Sequence, residues 1–347
     1  MLQGLLAAIG IGILILLAGR VYQRVGTMRD LRRHPAPGKM VNVGSHRLHL
    51  LTGGEGKLTV IFESGLMSTE LTWTGIQAEI SKTASTVCYD RAGLGWSDPG
   101  PMPRDADQIV SELHRLLEGS CIPPPYVLVG HSFGGLTTRL FAARYPEEVA
   151  GLVLLDPVVS GEWNPVTEHN RRRIRTGARI LRRAATLSRW GILRFVSFLL
   201  RSAAKPLAEP LVRLMSKGAP KGDGTTKSPL FWNLPASERA LAPVFWVQPK
   251  FTETIASQLE NLPRSAGQVA VTRSLEDKPI IVISASDTPP HRLEEQIATA
   301  GLSSRGKHLV AKESSHWVMV DQPELVLQAI REVLELARQA RAVGAVN

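Results

Sequence analysis

Residues 126–135 read YVLVGHSFGG and set a serine between glycines, in the order Gly130-His131-Ser132-Phe133-Gly134. A G-x-S-x-G pentapeptide between a buried strand and a helix makes a sharp turn that lifts the serine hydroxyl clear of the backbone. Gly130 and Gly134 permit the turn and the close packing beneath it. A serine hydroxyl is a weak nucleophile, so a base must take its proton and a third group must orient that base. His316 lies in SSHWVMVDQPE at 314–324, shortly after the apolar run KHLVA, and so comes late in the chain as the base of such a site does. The chemistry on offer is acyl transfer through a serine ester.

Two carboxylates could orient His316. Asp287 follows the strand-like PIIVISAS and falls between Ser132 and His316, which makes it the favoured acid. Asp156 ends AGLVLLD at another strand end and is the alternative; otherwise it stabilises the turn with Pro157. An oxyanion needs two backbone N–H donors. Phe133, directly after the nucleophile, supplies one, and Leu66 in Glu63-Ser64-Gly65-Leu66-Met67 is the candidate for the other. Glu63 reads as a buried structural carboxylate, and His131 as a packed or hydrogen-bonded histidine rather than a catalyst. Asp321 and Glu324 form a D-x-x-E pattern that predicts a cap for the last helix. YDRAGLGWSDPG at 89–100 is Gly-rich but lacks the G-x-x-x-x-G-K-S/T phosphate cradle. Its Asp90 and Arg91 are expected to pair within the turn, with Trp96 packing or lining a pocket.

These residues need a frame. Short apolar runs at 40–43, 46–51, 58–63, 84–90, 126–131, 149–155, 279–284 and 307–311 alternate with helical patterns at 70–81, 105–118, 133–144, 291–300 and 323–341. Most of the later runs are apolar throughout, as strands buried on both faces of a parallel sheet are. The alternation predicts a doubly wound α/β sheet. The interval between Asp156 and Pro279 is too long for a connection and predicts an inserted helical lid, in which arginines alternate with a Trp190–Leu200 apolar patch. Residues 249–264 predict one of its helices, and Gly218–Ser228 a polar link.

At 347 residues with 44% hydrophobic side chains the chain can bury a large core, and its composition excludes a disordered or collagen-like protein. Cys88 and Cys121 are the only cysteines, too few for a disulfide framework or a Cys-rich zinc site. The net charge of +10 is concentrated: residues 162–221 carry 14 basic against 3 acidic side chains, and 20–39 carry 6 against 1. Clustered arginine is a footprint of nucleic-acid binding, but no such motif accompanies it, and no nucleic-acid partner is expected. Residues 1–19, MLQGLLAAIGIGILILLAG, are uncharged and as a helix span about 28 Å, close to a bilayer core. The basic cluster follows on the C-terminal side, so the positive-inside rule turns the large domain to the cytoplasm. With no basic n-region and no small-x-small site, the segment reads as an uncleaved anchor.

Taken together, ESGLMS, YDRAGLGWSD, GHSFGG, LVLLDP, Asp287 after its strand and SHW resemble the α/β-hydrolase superfamily over about residues 40–341. The resemblance implies an eight-stranded, mostly parallel sheet under a helical cap, a Ser132–His316–Asp287 triad, acyl-enzyme chemistry and no cofactor. Glu63-Ser64-Gly65 departs from the His-Gly pair that many members carry, which bears on the register of the Leu66 amide. The dehalogenase and epoxide-hydrolase branches use an aspartate nucleophile, so Ser132 speaks for the serine branch. The chain then divides into an anchor at 1–19, a basic linker at 20–39, hydrolase core at 40–156 and 265–347, and a lid at 157–264. The expected activity is hydrolysis of a carboxylic ester, with a lipid-like acyl substrate and a membrane surface as partners. Amide, peptide or carbon–carbon hydrolysis and acyl transfer would use the same triad, and a catalytically silent binding protein the same fold.

Overall fold

The computed structural model describes residues 1–202, 236–270 and 275–344. The expected Gly218–Ser228 link lies outside them, as does the part of the expected lid at 203–235. Eight strands form one sheet: β1 (Lys39–Asn42), β2 (Arg47–Gly53), β3 (Thr59–Glu63), β4 (Ser85–Tyr89), β5 (Tyr126–His131), β6 (Val149–Leu155), β7 (Ile280–Ala285) and β8 (Gly306–Ala311). Their order is β1-β2-β4-β3-β5-β6-β7-β8. β2 runs antiparallel to β1 and β4, and every other pairing is parallel. The expected strands are all present, with ends shifted by no more than two residues.

Every residue of β3, β5 and β7 is buried, which is why these strands read as unbroken apolar runs rather than as alternating ones. Side chains still alternate between the two faces. Val60, Phe62, Val127 and Val129 join one core layer, and Ile61, Tyr126 and Leu128 join the other. Twelve described α-helices accompany the sheet: α1 (Leu2–Arg33), α2 (Thr74–Ile80), α3 (Ala106–Gly119), α4 (Phe133–Arg144), α5 (Glu168–Arg189), α6 (Ile192–Arg201), α7 (Ala236–Phe245), α8 (Pro249–Glu260), α9 (Leu262–Ala270), α10 (Pro290–Ala300), α11 (Val318–Asp321) and α12 (Pro323–Gly344). α3 and α4 cover one face; α2 and α12 cover the other.

Local chemistry sets the helix starts. Asp105 caps α3 by accepting from the Gln108 amide at 3.0 Å, and Ile109, Leu113, Leu116 and Leu117 then recur at helical spacing on its buried face. Thr167 caps α5 in the same way through the Asn170 amide. The helix expected over 70–81 begins instead as a 3-10 turn at Glu70–Trp73. There Asp90 accepts the Glu70 amide and Glu238 accepts the Thr69 amide, with the Thr69 and Thr72 hydroxyls also donating to Glu238, so side chains supply acceptors for the first amides. The segment expected as a basic linker is mostly helical, because α1 continues without a break to Arg33. The described helices between β6 and β7 are α5 to α9.

Candidate active site

The carboxyl ends of β5 and β6 carry the chemistry. The two strands pair in register up to His131 and Leu155, so Ser132 and Asp156 are the first residues beyond the sheet on neighbouring strands. The Ser132 amide donates to the Leu155 carbonyl and the Val158 amide donates to the Ser132 carbonyl, both at 3.0 Å. Ser132 has φ 54° and ψ −117°, a strained conformation for a residue with a Cβ. Such strain gathers where the surrounding structure over-determines it. Both flanking glycines are required sterically: a Cβ on Gly130 would lie 2.6 Å from the Gly134 carbonyl oxygen, and one on Gly134 would lie 2.3 Å from that of Glu63.

His316 sits on the loop between β8 and α11. Its Nδ1 lies 2.6 Å from Asp156 Oδ2, with the imidazole 43% exposed and the carboxylate 9% exposed. Asp156 Oδ1 accepts from Thr288 Oγ1 and Gln296 Nε2, each at 2.9 Å. Burial pushes the Asp156 carboxyl upward, but the hydrogen bond and charge of His316, with the bonds from Gln296 and Thr288, outweigh it and hold the pKa at about 2. The carboxylate is thus charged near neutrality, and its hydrogen bond fixes the proton on Nδ1 and leaves Nε2 as the basic nitrogen.

Asp287, the favoured acid in the sequence, is not brought to His316. β7 ends at Ala285, and the next residues turn: Ser286 donates its amide and hydroxyl to the Ser314 carbonyl, and the Thr288 amide donates back to Ala285. The turn aims Thr288 at Asp156 and leaves Asp287 exposed to solvent. The alternative, Asp156, is the residue that meets the imidazole. Thr288 and Gln296 were not singled out in the sequence. The only sign of Thr288 was its place next to a candidate acid, and Gln296 gave none.

His131 is buried, and its Nε2–H donates to the His316 carbonyl at 2.8 Å. Burial first, and then the charge of His316, lowers its pKa to about 3, so it stays neutral and steadies the base by its backbone. Asp321 does not cap α12. Its Oδ2 accepts from the Ser315 amide at 2.8 Å and the Ser315 hydroxyl at 2.6 Å, which ties down the loop that carries His316.

The β3 loop lies against the serine turn; a Cβ on Gly65 would sit 3.4 Å from Ser132 Cβ. Arg91 organises this loop. Expected to pair with Asp90, it reaches Glu63 Oε1 at 3.0 Å and the Ser64 carbonyl at 2.9 Å, and it also donates to the Gly65 carbonyl. Asp90 instead meets His49 Nδ1 and the amides of Glu70 and Trp96. Glu63 and Arg91 are 1% and 2% exposed, and the Tyr89 hydroxyl also donates to Glu63. Burial raises the Glu63 pKa, against the charge of Arg91. The carboxylate is structural, as expected. Carbonyl and N–H point oppositely across a trans peptide. Engagement of the Gly65 carbonyl by Arg91 therefore turns the Leu66 N–H away from Arg91. The Arg91 guanidinium also lies 5.2 Å from the Phe133 ring centroid. Phe133 opens α4, where an N–H has no intrahelical acceptor. Trp96 packs edge-on against Phe245 and donates its indole N–H to the His34 carbonyl. Among the described residues no group of three or more His, Cys, Asp or Glu side chains could hold a metal ion.

A family model described as the alpha/beta hydrolase family matches residues 60–329. The chain is 39% identical over 106 residues to the uncharacterized protein YqjL of Bacillus subtilis (strain 168), a match covering 30% of this chain and 42% of that protein. It is 44% identical over 79 residues to lipase LipV of Mycobacterium tuberculosis, covering 23% of this chain and 30% of that protein. The chain thus spans less than half the length of these curated relatives. A malate-bound thermophilic esterase from Thermogutta terrifontis shares the fold, with a TM-score of 0.58 at 20% identity over 86% of this chain and 98% of that one. By the extent of the family match, the chain belongs to the alpha/beta hydrolase family.

Proposed function

We propose that the protein is a membrane-anchored serine hydrolase that cleaves a carboxylic ester of a lipid-like acyl substrate, with Ser132, His316 and Asp156 as its triad. The observation that carries this reading is the His316–Asp156 hydrogen bond at 2.6 Å beside a strained serine on the adjoining strand end. His316 Nε2 takes the Ser132 proton as Oγ attacks the ester carbonyl, and the Phe133 and Leu66 amides receive the oxyanion. Collapse of the tetrahedral intermediate releases the alcohol, which leaves with the proton from His316. Water then gives a proton to His316 and attacks the acyl-serine; the acid departs and Ser132 regains its hydrogen. The His316 ring and carbonyl bond to Asp156 and His131 respectively, and catalytic contacts to a serine often tighten only around substrate. The names lipase and esterase among similar proteins agree with this chemistry.

The anchor reading is supported by α1, whose most apolar 18-residue window has a mean hydropathy of 2.3 and no buried residue. A membrane span of residues 1–19, with the basic segment and the catalytic domain on the cytoplasmic side, fits that exposure. The test is fluorophosphonate labelling of membrane fractions containing the full-length protein. Wild type should label and stay with the membrane through alkaline carbonate extraction, whereas Ser132→Ala and His316→Ala should not label. A folded wild type that fails to label would overturn the hydrolase reading, and release by carbonate would overturn the anchor.

A further inference from the structure

α1 changes character at Gly19. Before it, side chains such as Ile9, Ile13, Leu14 and Leu17 are at least half exposed. From Gly19 on, one face of the helix packs against the junction of α5 and α6, while Val21, Tyr22 and Met28 stay exposed. A Cβ on Gly19 would lie 2.3 Å from the Trp190 carbonyl oxygen, and Gly191 sits with φ +73° against Gly19 and Tyr22. Arg20 lies 5.9 Å from the centroid of the Trp190 ring. Within the first turn of α6, the Arg194 side chain is 10% exposed and bonds Gln23 Oε1 and Thr27 Oγ1, each at 3.2 Å, and pairs with Asp30. These contacts fix the start of α6 at the level where the apolar half of α1 ends. From that level α6 turns Phe195 and Phe198 outward, 48% and 57% exposed.

We propose that Trp190 and α6 form a second lipid contact, with Phe195 and Phe198 set into the headgroup–acyl boundary of the bilayer that α1 crosses; this rests on the anchor reading above. The occupant follows from continuity, because the exposed apolar surface of α1 leads straight to Trp190. Tryptophan beside arginine is how chains mark a hydrocarbon–water boundary, and an amphipathic helix lies in that plane with its aromatic side chains down. The preceding helix, α5, carries eight arginines against one glutamate, so the lipid surface it suits is anionic. The insertion between β6 and β7 is then held at the bilayer by Arg194 as well as by the chain itself, and a lipid-like substrate would reach it from the membrane side.

The test uses the full-length protein in vesicles of phosphatidylcholine and phosphatidylglycerol. One accessible cysteine at a time, from Leu14→Cys, Phe195→Cys or Phe198→Cys in a Cys121→Ser background that keeps only the buried Cys88, is labelled with an environment-sensitive nitrobenzoxadiazole dye. Leu14→Cys should be quenched by deeply placed spin-labelled lipid, and Phe195→Cys and Phe198→Cys at least twofold by shallow spin-labelled lipid. Water-like, unquenched signals at 195 and 198 beside a quenched Leu14→Cys would overturn the α6 proposal and leave the anchor standing. An unquenched Leu14→Cys would overturn the anchor itself. Shielding at 195 and 198 that requires high protein concentration rather than lipid would assign the face to a second copy of the chain and also overturn the proposal. Should the cysteine variants fail to fold, lipid quenching of tryptophan fluorescence in wild type minus Trp190→Phe supplies the same answer: a lipid-quenched difference supports the proposal and an unquenched one overturns it.

Discussion

Thr288 donates its hydroxyl to Asp156 Oδ1 at 2.9 Å, and the residue before it, Asp287, faces solvent. One turn therefore decides which carboxylate serves the imidazole. The loop after β7 contributes a supporting hydroxyl, and the carboxylate that bonds the imidazole comes from the end of β6, beside the serine. Both aspartates stand at strand ends on the same rim of the sheet. The hydrogen bonds of Ser286 to Ser314 and of Thr288 to Ala285 shape the turn that leaves Asp287 outside, while the bonds of the Asp156 amide to Ile283 and of its carboxylate to Thr288 and Gln296 hold Asp156 inward.

Asp156→Asn and Asp287→Asn should separate cleanly. Loss of the carboxylate that orients a catalytic imidazole lowers turnover by about 10⁴-fold, because the wrong tautomer is held. Asp156→Asn is expected to fall by that order in kcat on a short-chain nitrophenyl ester, with Asp287→Asn within about twofold of wild type, as an exposed side chain free of the site should be. A large loss in Asp287→Asn with little in Asp156→Asn would reverse the assignment.

Arg91 should act on turnover through backbone geometry. It grips the Ser64 and Gly65 carbonyls and lies over the Phe133 ring, so it holds the peptide that carries the proposed Leu66 donor and packs on the side chain of the other proposed donor. Losing one such donor costs about 10²-fold in kcat. Arg91→Lys keeps a charge near Glu63 but lacks the fork that spans two carbonyls. The expected result is a drop of about that size in kcat with KM nearly unchanged. Weaker affinity for a boronic-acid transition-state mimic should accompany it. Because breaking a buried ion pair costs about 3–5 kcal/mol, Arg91→Ala is expected to lose stability as well. A raised KM at constant kcat in Arg91→Lys would contradict the positioning role.

The sheet was legible because burial on both faces writes β3, β5 and β7 as apolar runs. The serine turn was legible because two glycines have no steric substitute there. The partners of charged groups were not legible. Arg91 sits next to Asp90 in the chain yet pairs with Glu63, 28 residues away, and Asp90 pairs with His49 across the neighbouring strand. Asp321 had the spacing of a helix cap, yet it holds the Ser315 loop because that loop returns to it in space. Local pattern records which face is buried. Tertiary approach decides which long polar side chains meet.

Thr288→Val and Gln296→Leu each remove one hydrogen bond that holds the Asp156 carboxylate low. In the folded state the Asp156 pKa lies below its ordinary value of 3.8, so its contribution to stability is present above that value and is lost as pH falls through about 2. Each substitution should shift acid unfolding to higher pH. The check is a fluorescence-monitored acid titration of the full-length protein. Transitions that coincide with wild type in both variants would mean that neither bond stabilises the charged carboxylate.

A pair of buried carboxyls, Glu70 and Glu238, has the opposite sign. Glu238 on α7 accepts from Thr69 and Thr72, with Glu70 and Asp90 alongside. Burial raises Glu238 to about 7 against those hydrogen bonds, and burial with the charges of Asp90 and Glu238 raises Glu70 to about 8. A carboxyl with a raised folded pKa gives its full stabilisation below its unfolded value, here 4.5, and loses it as pH climbs through the folded value. The lowered pKa values of His46, His131 and His308 act in the other direction below 6.5, and burial lowers Lys250 to about 8, which acts in the other direction above that value, so the informative window lies between the two. Between pH 6.5 and 8 stability should fall by up to about 1.4 kcal/mol per pH unit for each group that titrates, and the thermal midpoint should fall with it. Glu238→Gln keeps an oxygen for Thr69 and Thr72 but has no proton to lose, so its midpoint should fall less steeply than that of wild type. Calorimetry of both proteins in the same detergent and salt makes the comparison. Parallel slopes would show that the contact between α7 and the Thr69–Thr72 turn does not depend on a protonated Glu238.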